Sequence, residues 1–130
     1  MTTVVEMRRA YASDAVHTAS PSRLVTMLYD RLVRDLDRAE LAMGQTDIEG
    51  AHNALRHAQD IVSELSNSLD VEGWADGEQL RSLYIWLKRQ LVTANVTKDP
   101  AHLVEVREVV EPLREAWHEA ANSTQAAVAG

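Results

Sequence analysis

The sequence lacks cysteine and contains few residues that break helices. Its 130 residues include no cysteine, five glycines and three prolines. The absence of cysteine excludes a disulfide framework, a thiolate zinc site and a cysteine nucleophile. An all-β sandwich or barrel of this length needs more Gly and Pro turns than are present, and a nucleotide-binding α/β domain needs a glycine-rich loop. The length predicts a single domain.

Positive charge and long apolar runs are also scarce. Lys and Arg number 13 against 20 Asp and Glu, which gives a formal net charge of −7 at pH 7. Nucleic-acid binding needs clustered positive charge, so nucleic acid is not an expected partner. No apolar run approaches the ~20 residues of a membrane span, and residues 1–20 lack the apolar stretch of a signal peptide. We therefore expect a cytoplasmic protein without membrane insertion.

The breakers that are present lie where helices would begin or end. Pro21 and Pro100 each follow a capping residue and suit the first turn of a helix, where a missing N–H costs nothing. Gly44 suits a helix end, and Gly73 and Gly77 bracket a short linker. Together these signals predict four helices. The predicted helices cover residues 21–44, 47–70, 76–98 and 100–121.

Three local features refine this prediction. Thr46 and Glu49 have the spacing of a capping box, in which each side chain accepts a hydrogen bond from a free backbone N–H. Pro112 lies inside the fourth predicted helix and removes one backbone hydrogen bond, which predicts a kink rather than a break. Residues 122–130 carry no charge and little periodicity, so we expect them to be disordered.

Each predicted helix carries one apolar stripe that repeats every three or four residues. Stripes of similar length joined by short connections predict an all-α fold, namely an antiparallel up-down four-helix bundle. The bundle would occupy residues 20–121. Residues 1–19 would form a separate N-terminal segment that contains a short amphipathic helical piece.

Two Glu-x-x-His motifs raise the alternative of a di-iron-like bundle enzyme. Bundles of that kind use two such motifs and two further glutamates, all facing inward. The motifs here begin at Glu49 and Glu115. At about 100° per residue, Glu115 points away from the buried stripe of its helix, and Glu49 is already assigned to the capping box. We therefore expect no metal, no cofactor and no catalytic residue.

The remaining charged residues are interpreted as solvated surface. Arg31, Arg34 and Arg38 are interleaved with acidic residues, and Asp30 has the spacing to pair with Arg34 one turn later. His57 lies on a mixed face and is expected at the surface. None of these residues forms a pattern typical of catalysis.

The first and third helices carry more apolar and aromatic residues than one buried seam requires. Trp86 lies off the stripe that contains Tyr84 and Leu87, and Tyr29 widens the apolar arc of the first helix. A broad core face would account for this surplus. The alternative explanation is a groove that receives apolar helices of a partner.

Four strings of residues, in chain order, resemble the signature of the FliS family of flagellar export chaperones. The resemblance extends from about residue 10 to residue 120. The strings include Met27-Leu28-Tyr29-Asp30, Ala58-Gln59-Asp60-Ile61-Val62, Leu83-Tyr84 with Ala94-Asn95, and Leu113-Arg114-Glu115-Ala116-Trp117.

The resemblance implies a helical bundle that binds the disordered C-terminal segment of flagellin in hydrophobic grooves, prevents its polymerisation and delivers it to the flagellar type III export gate. Tyr11 and Val16 are implied to contact the gate or to cover the groove. The alternatives are the metal-binding bundle and a helical module that associates with itself. The residues implied to bind flagellin are Leu24, Val25, Leu28, Tyr29, Tyr84, Trp86, Leu87, Leu91 and Asn95.

Overall fold

Four helices pack side by side around one core, so that each helix packs mainly against two others. The structure, a computed structural model, describes residues 21–69 and 76–129, so the predicted N-terminal segment lies outside the described residues. Each helix packs against its neighbours in the chain, and the last also packs against the first. The predicted all-α four-helix bundle is confirmed. The helices are α1 (Pro21–Gly44), α2 (Ile48–Ser68), α3 (Gly77–Thr97) and α4 (Ala101–Ala129).

Side-chain contacts show that neighbouring helices run antiparallel. Between α1 and α4, Asp30 pairs with Arg114, whereas Asp37 pairs with Arg107. Residue numbers therefore rise along one helix as they fall along the other. This is the arrangement that short connections between helices of similar length predict.

The core consists of the apolar stripe of each helix. Fully burying one leucine side chain is worth roughly 1.5–3 kcal/mol, so these stripes supply the main driving force for folding. The largest fully buried side chains come from all four helices. They are Trp117, Tyr29, Tyr84, Leu28, Leu32, Leu36, Leu55, Leu65, Leu87, Leu91 and Leu103.

Two tyrosine hydroxyls meet inside the core. Tyr29 on α1 and Tyr84 on α3 come from opposite corners of the ring, and their hydroxyl oxygens are 2.9 Å apart. A buried hydroxyl without a hydrogen bond costs about 1–3 kcal/mol, and this contact supplies one. Burial, followed by the proximity of Tyr84, raises the pKa of the Tyr29 phenol well above its usual value.

The start of α2 differs from the predicted capping box. Asp47 is the capping residue, and its Oδ1 accepts a hydrogen bond of 2.9 Å from the backbone N–H of Gly50. Thr46 has a φ of 57° and belongs to the preceding turn, so the predicted Thr46–Glu49 box is wrong. The left-handed turn at Thr46 moves the cap one residue along the chain. A Cβ at Gly50 would collide with the Asp47 carboxylate, so glycine there leaves room for the cap.

The last helix is longer than the sequence pattern indicates. α4 continues through Pro112 without interruption, which confirms that this proline does not break the helix. The kink itself stays a prediction. Residues 122–129, which we expected to be disordered, are helical. Their alanines have the highest helix propensity of any residue, and no glycine or proline interrupts them.

The cap at α2 can be tested by two neighbouring alanine substitutions. Asp47→Ala should lower the free energy of unfolding by about 1 kcal/mol, because it removes the acceptor for the Gly50 N–H. Thr46→Ala should change it by less than about 0.5 kcal/mol. Urea denaturation of both variants gives the comparison. A larger loss for Thr46→Ala than for Asp47→Ala would contradict the assignment.

The tyrosine pair predicts a steep loss of stability in alkali. Because the folded state raises the pKa of Tyr29, the unfolded chain releases the phenol proton first. The contribution of the neutral phenol is intact below about pH 10 and is lost as the pH rises above that value. Tyr29→Phe should be less stable than the wild type at pH 7 and should lose less stability above pH 10. Thermal melts across this range measure both effects, and parallel pH curves for the two proteins would refute the interpretation.

Candidate functional site: an apolar surface on the third helix

Most of the residues implied to bind flagellin lie in the core. Six of the nine have at most 2% of their surface exposed. They belong to the core that holds the helices together. The structure therefore places them inside the closed bundle, and their contact with flagellin stays a prediction. The six are Val25, Leu28, Tyr29, Tyr84, Leu87 and Leu91.

The other three lie in different surroundings. Leu24 is exposed on α1, and Trp86 is half-buried at the edge of the core. Asn95 bridges two helices, because its Nδ2 lies 3.0 Å from Nδ1 of His52 on α2. Tyr11 and Val16, implied to contact the export gate or to cover the groove, lie outside the described residues, so their role stays a prediction.

One edge of α3 faces α2 and the other edge faces α4. Lys88 and Asn95 mark the first edge, since Lys88 donates to Ser63 and Asn95 contacts His52 across to α2. At 100° per residue, Leu83 and Trp86 lie on the opposite edge of α3. They are half-buried against the core, as are Val109 and Leu113 on the corresponding edge of α4. We call these four residues the α3–α4 seam; this is the smallest of the four interfaces between helices.

The outward side of α3 carries a second apolar feature. Ile85, Val92 and Val96 are 43%, 43% and 80% exposed. Their spacings of seven and four residues put them on one face of the helix, which we call the outer stripe. A shallow depression of about 540 Å³ lies along it, lined by Ile85, Lys88, Arg89, Val92 and Thr93. Sequence reasoning missed this stripe, although its spacing is visible beside the core stripe of Tyr84 and Leu87.

The outward sides of α1 and α4 carry many charged residues. On α1, Arg31, Arg34 and Arg38 are exposed. On α4 the exposed side is a row of glutamates. The row contains Glu105, Glu108, Glu111, Glu115 and Glu119. Leu24, Met27 and Leu41 on α1 and Val104 on α4 are also exposed. On α3, Ile85 and Val92 line one depression, which suits this surface to contact another apolar chain.

Hydrogen bonds between polar side chains hold α1 against α4. Asp30 accepts hydrogen bonds from Arg114 Nε at 2.7 Å and from His118 Nε2 at 2.8 Å. The predicted pair of Asp30 with Arg34 is wrong, because Asp30 points toward α4 rather than along its own helix. Burial would raise the pKa of the Asp30 carboxyl, but the hydrogen bonds from His118 and Arg114 outweigh it and lower that pKa.

Polar side chains also pair between α1 and α2 and between α2 and α3. Between α1 and α2, the buried carboxylate of Asp35 lies 2.5 Å from Nδ1 of His57. His57 was expected at the surface; half of its side chain is exposed, and its ring binds Asp35. Between α2 and α3, Lys88 Nζ donates to Ser63 Oγ at 2.8 Å. Within residues 21–69 and 76–129, no ion pair crosses the α3–α4 seam.

The two Glu-x-x-His motifs do not assemble a site in the described part of the chain. Glu49 and Glu115 are both exposed, and His118 binds Asp30. Among the described residues, no three His, Asp or Glu side chains are grouped as metal ligands. None of the described helices combines the length and the apolar character that spanning a bilayer requires.

A helical bundle with apolar surface beyond its own core has the form of a protein-binding module. Comparison with known proteins defines which module this is. Residues 5–124 match the family model described as "Flagellar protein FliS". The chain belongs to this family, which confirms the resemblance seen in the sequence.

Three curated relatives, each named "Flagellar secretion chaperone FliS", cover most of the chain. The Bacillus subtilis protein is 32% identical, over 88% of this chain and 85% of its own length. The Salmonella typhimurium protein is 35% identical, over 84% and 85%. The Escherichia coli protein is 35% identical, over 85% and 86%. These relatives are named as chaperones, and the family is not enzymatic.

The Asp30 cluster predicts an acid dependence that one substitution can isolate. Because the folded state lowers the pKa of Asp30, its contribution to stability is present above about pH 4 and is lost as the pH falls through the folded-state pKa. Asp30→Asn should therefore be less stable than the wild type at pH 7, with a difference that shrinks below pH 4. Urea denaturation between pH 7 and pH 3 measures this difference, and a constant gap would contradict the assignment.

Proposed function

We propose that the protein is a cytoplasmic chaperone for flagellin. It binds the disordered C-terminal segment of flagellin, prevents premature polymerisation and delivers the client to the flagellar type III export gate. The observation that carries this proposal is membership of a family whose curated relatives are named flagellar secretion chaperones. Tyr11 and Val16 are proposed to contact the gate or to cover the binding surface, as the resemblance implies.

The apolar surface of α3 supports the proposal. The α3–α4 seam offers Trp86 as a half-buried aromatic side chain, and residues of this kind often dominate binding energy. The outer stripe adds exposed branched side chains on the same helix. An amphipathic client helix that covers these side chains removes apolar area from water, at about 25 cal/mol for each Å².

The same physics makes the client releasable. A disordered segment must lose conformational entropy when it folds on a surface, which consumes part of the interaction free energy. The complex can therefore cover a large polymerisation surface without becoming irreversible. The bundle keeps its own core closed throughout, because the proposed contacts lie outside the stripe that holds Tyr29 and Tyr84.

Trp86 provides the direct test. The full chain is titrated with a labelled peptide that covers the C-terminal segment of flagellin from the same organism, and anisotropy is measured. Trp86→Ala should weaken binding by about tenfold, because it removes the largest side chain of the seam. Leu41→Ala, at an exposed position on α1, is the matched control and should bind like the wild type.

Two outcomes would count against the proposal. One is no binding by the wild type at concentrations on the order of tens of micromolar. The other is equal binding by Trp86→Ala and the wild type, which would remove the seam from the binding surface. Thermal melts of each variant separate loss of binding from loss of folding.

A further inference from the structure

The outer stripe of α3 combines apolar side chains with two cations. Lys88 and Arg89 line the depression beside Ile85 and Val92, and no acidic residue lines it. The chain as a whole carries a formal net charge of −7. The α3 depression is therefore locally basic as well as apolar, although the chain as a whole is acidic.

Lys88 and Arg89 make no contact with a carboxylate in residues 21–69 and 76–129. Lys88 donates to the hydroxyl of Ser63, which carries no charge. In the ranges that the structure describes, neither Lys88 nor Arg89 forms an ion pair with a carboxylate. Arg81, nearer the start of α3, is in contrast paired with Glu78 at 3.5 Å. Two exposed cations that form no ion pair in the described part of the chain can pair with carboxylates of another chain.

The charges argue against a second copy of this chain as the occupant. If two outer stripes met about a two-fold axis, the same basic surface would occur on both sides of the interface. Lys88 and Arg89 of one copy would then lie near those of the other, and like charges brought together disfavour a complex. A partner with carboxylates around an apolar face meets no such repulsion.

We infer that the outer stripe binds an amphipathic helix whose apolar side is bordered by carboxylates, and that Lys88 and Arg89 select this helix. The inference rests on the proposed function, because the helix is taken to be part of the flagellin segment. From Ile85 to Val96 the stripe is about 16 Å long at 1.5 Å per residue, which accommodates about three turns of a partner helix. The apolar side chains supply affinity, and the cations supply orientation and specificity.

The test compares changes in the stripe with the same changes elsewhere on the full chain. Binding of the labelled flagellin peptide is measured by anisotropy at several salt concentrations. Val92→Asp should weaken binding by about tenfold, and Arg89→Glu should weaken it by a similar factor with a shallower dependence on salt. The controls are Val104→Asp on α4, where the valine is 50% exposed, and Arg56→Glu on the exposed face of α2. Both should stay within about twofold of the wild type.

A peptide with reversed charge tests selection by the cations. When the carboxylates that border its apolar side are replaced by lysines, the peptide should bind Arg89→Glu more tightly than it binds the wild type. Such a reversal is expected only if Arg89 interacts with these carboxylates of the peptide. It appears only when the protein and the peptide are changed together. If both peptides bind the wild type and Arg89→Glu in the same order of affinity, selection by Arg89 is overturned.

The results separate this inference from the proposed function. If the wild type binds the peptide and Val92→Asp and Arg89→Glu bind equally well, the outer stripe is not the docking site, while the chaperone function stands. If the wild type does not bind the peptide at all, the proposed function fails and this inference fails with it. Thermal melts confirm that each variant is folded.

Discussion

Each of the four helices carries an apolar stripe that must be buried, and the other contacts in the structure follow from this burial. No helix can hide its stripe alone, so the four close into a ring. The contact between the Tyr29 and Tyr84 hydroxyls supplies a hydrogen bond to polar groups that the same burial removes from water. Once the stripes are buried, the register between helices is fixed, and charged partners such as Asp30 and Arg114 meet across the seams.

Local sequence signals were sufficient to locate the four helices, but they missed the length of α4 and the contacts between helices. Proline and glycine act on the backbone of their own segment, so Pro21 and Gly44 mark the ends of α1 correctly. The cap at Asp47 depends on the left-handed turn at Thr46, which residue types alone did not reveal. The partner of Asp30 depends on how α4 lies against α1, and a contact between residues far apart in sequence has no local signal.

The candidate site was likewise predictable only in part, because burial depends on how the helices pack. A stripe such as Tyr84, Leu87 and Leu91 has helical spacing whether it lines a groove or fills a core, so the motif positions alone could not separate the two. Burial in the assembled ring separates them, and it leaves Trp86 and the outer stripe as accessible apolar surface. The surplus of apolar residues on α3 was therefore recognised correctly, but the residues that provide accessible surface could be identified only after packing.

The α3–α4 seam differs in mechanical character from the other three. Ion pairs and hydrogen bonds are directional, and they resist sliding of one helix along another. Contacts among Leu83, Trp86, Val109 and Leu113 have no such preferred direction. A small shift of α3 along α4 therefore exchanges one apolar contact for another without separating charges. The hydrogen bond from Lys88 to Ser63 across the α2–α3 seam limits the size of such a shift. This edge can therefore rearrange its apolar side chains while the overall register of the bundle is kept.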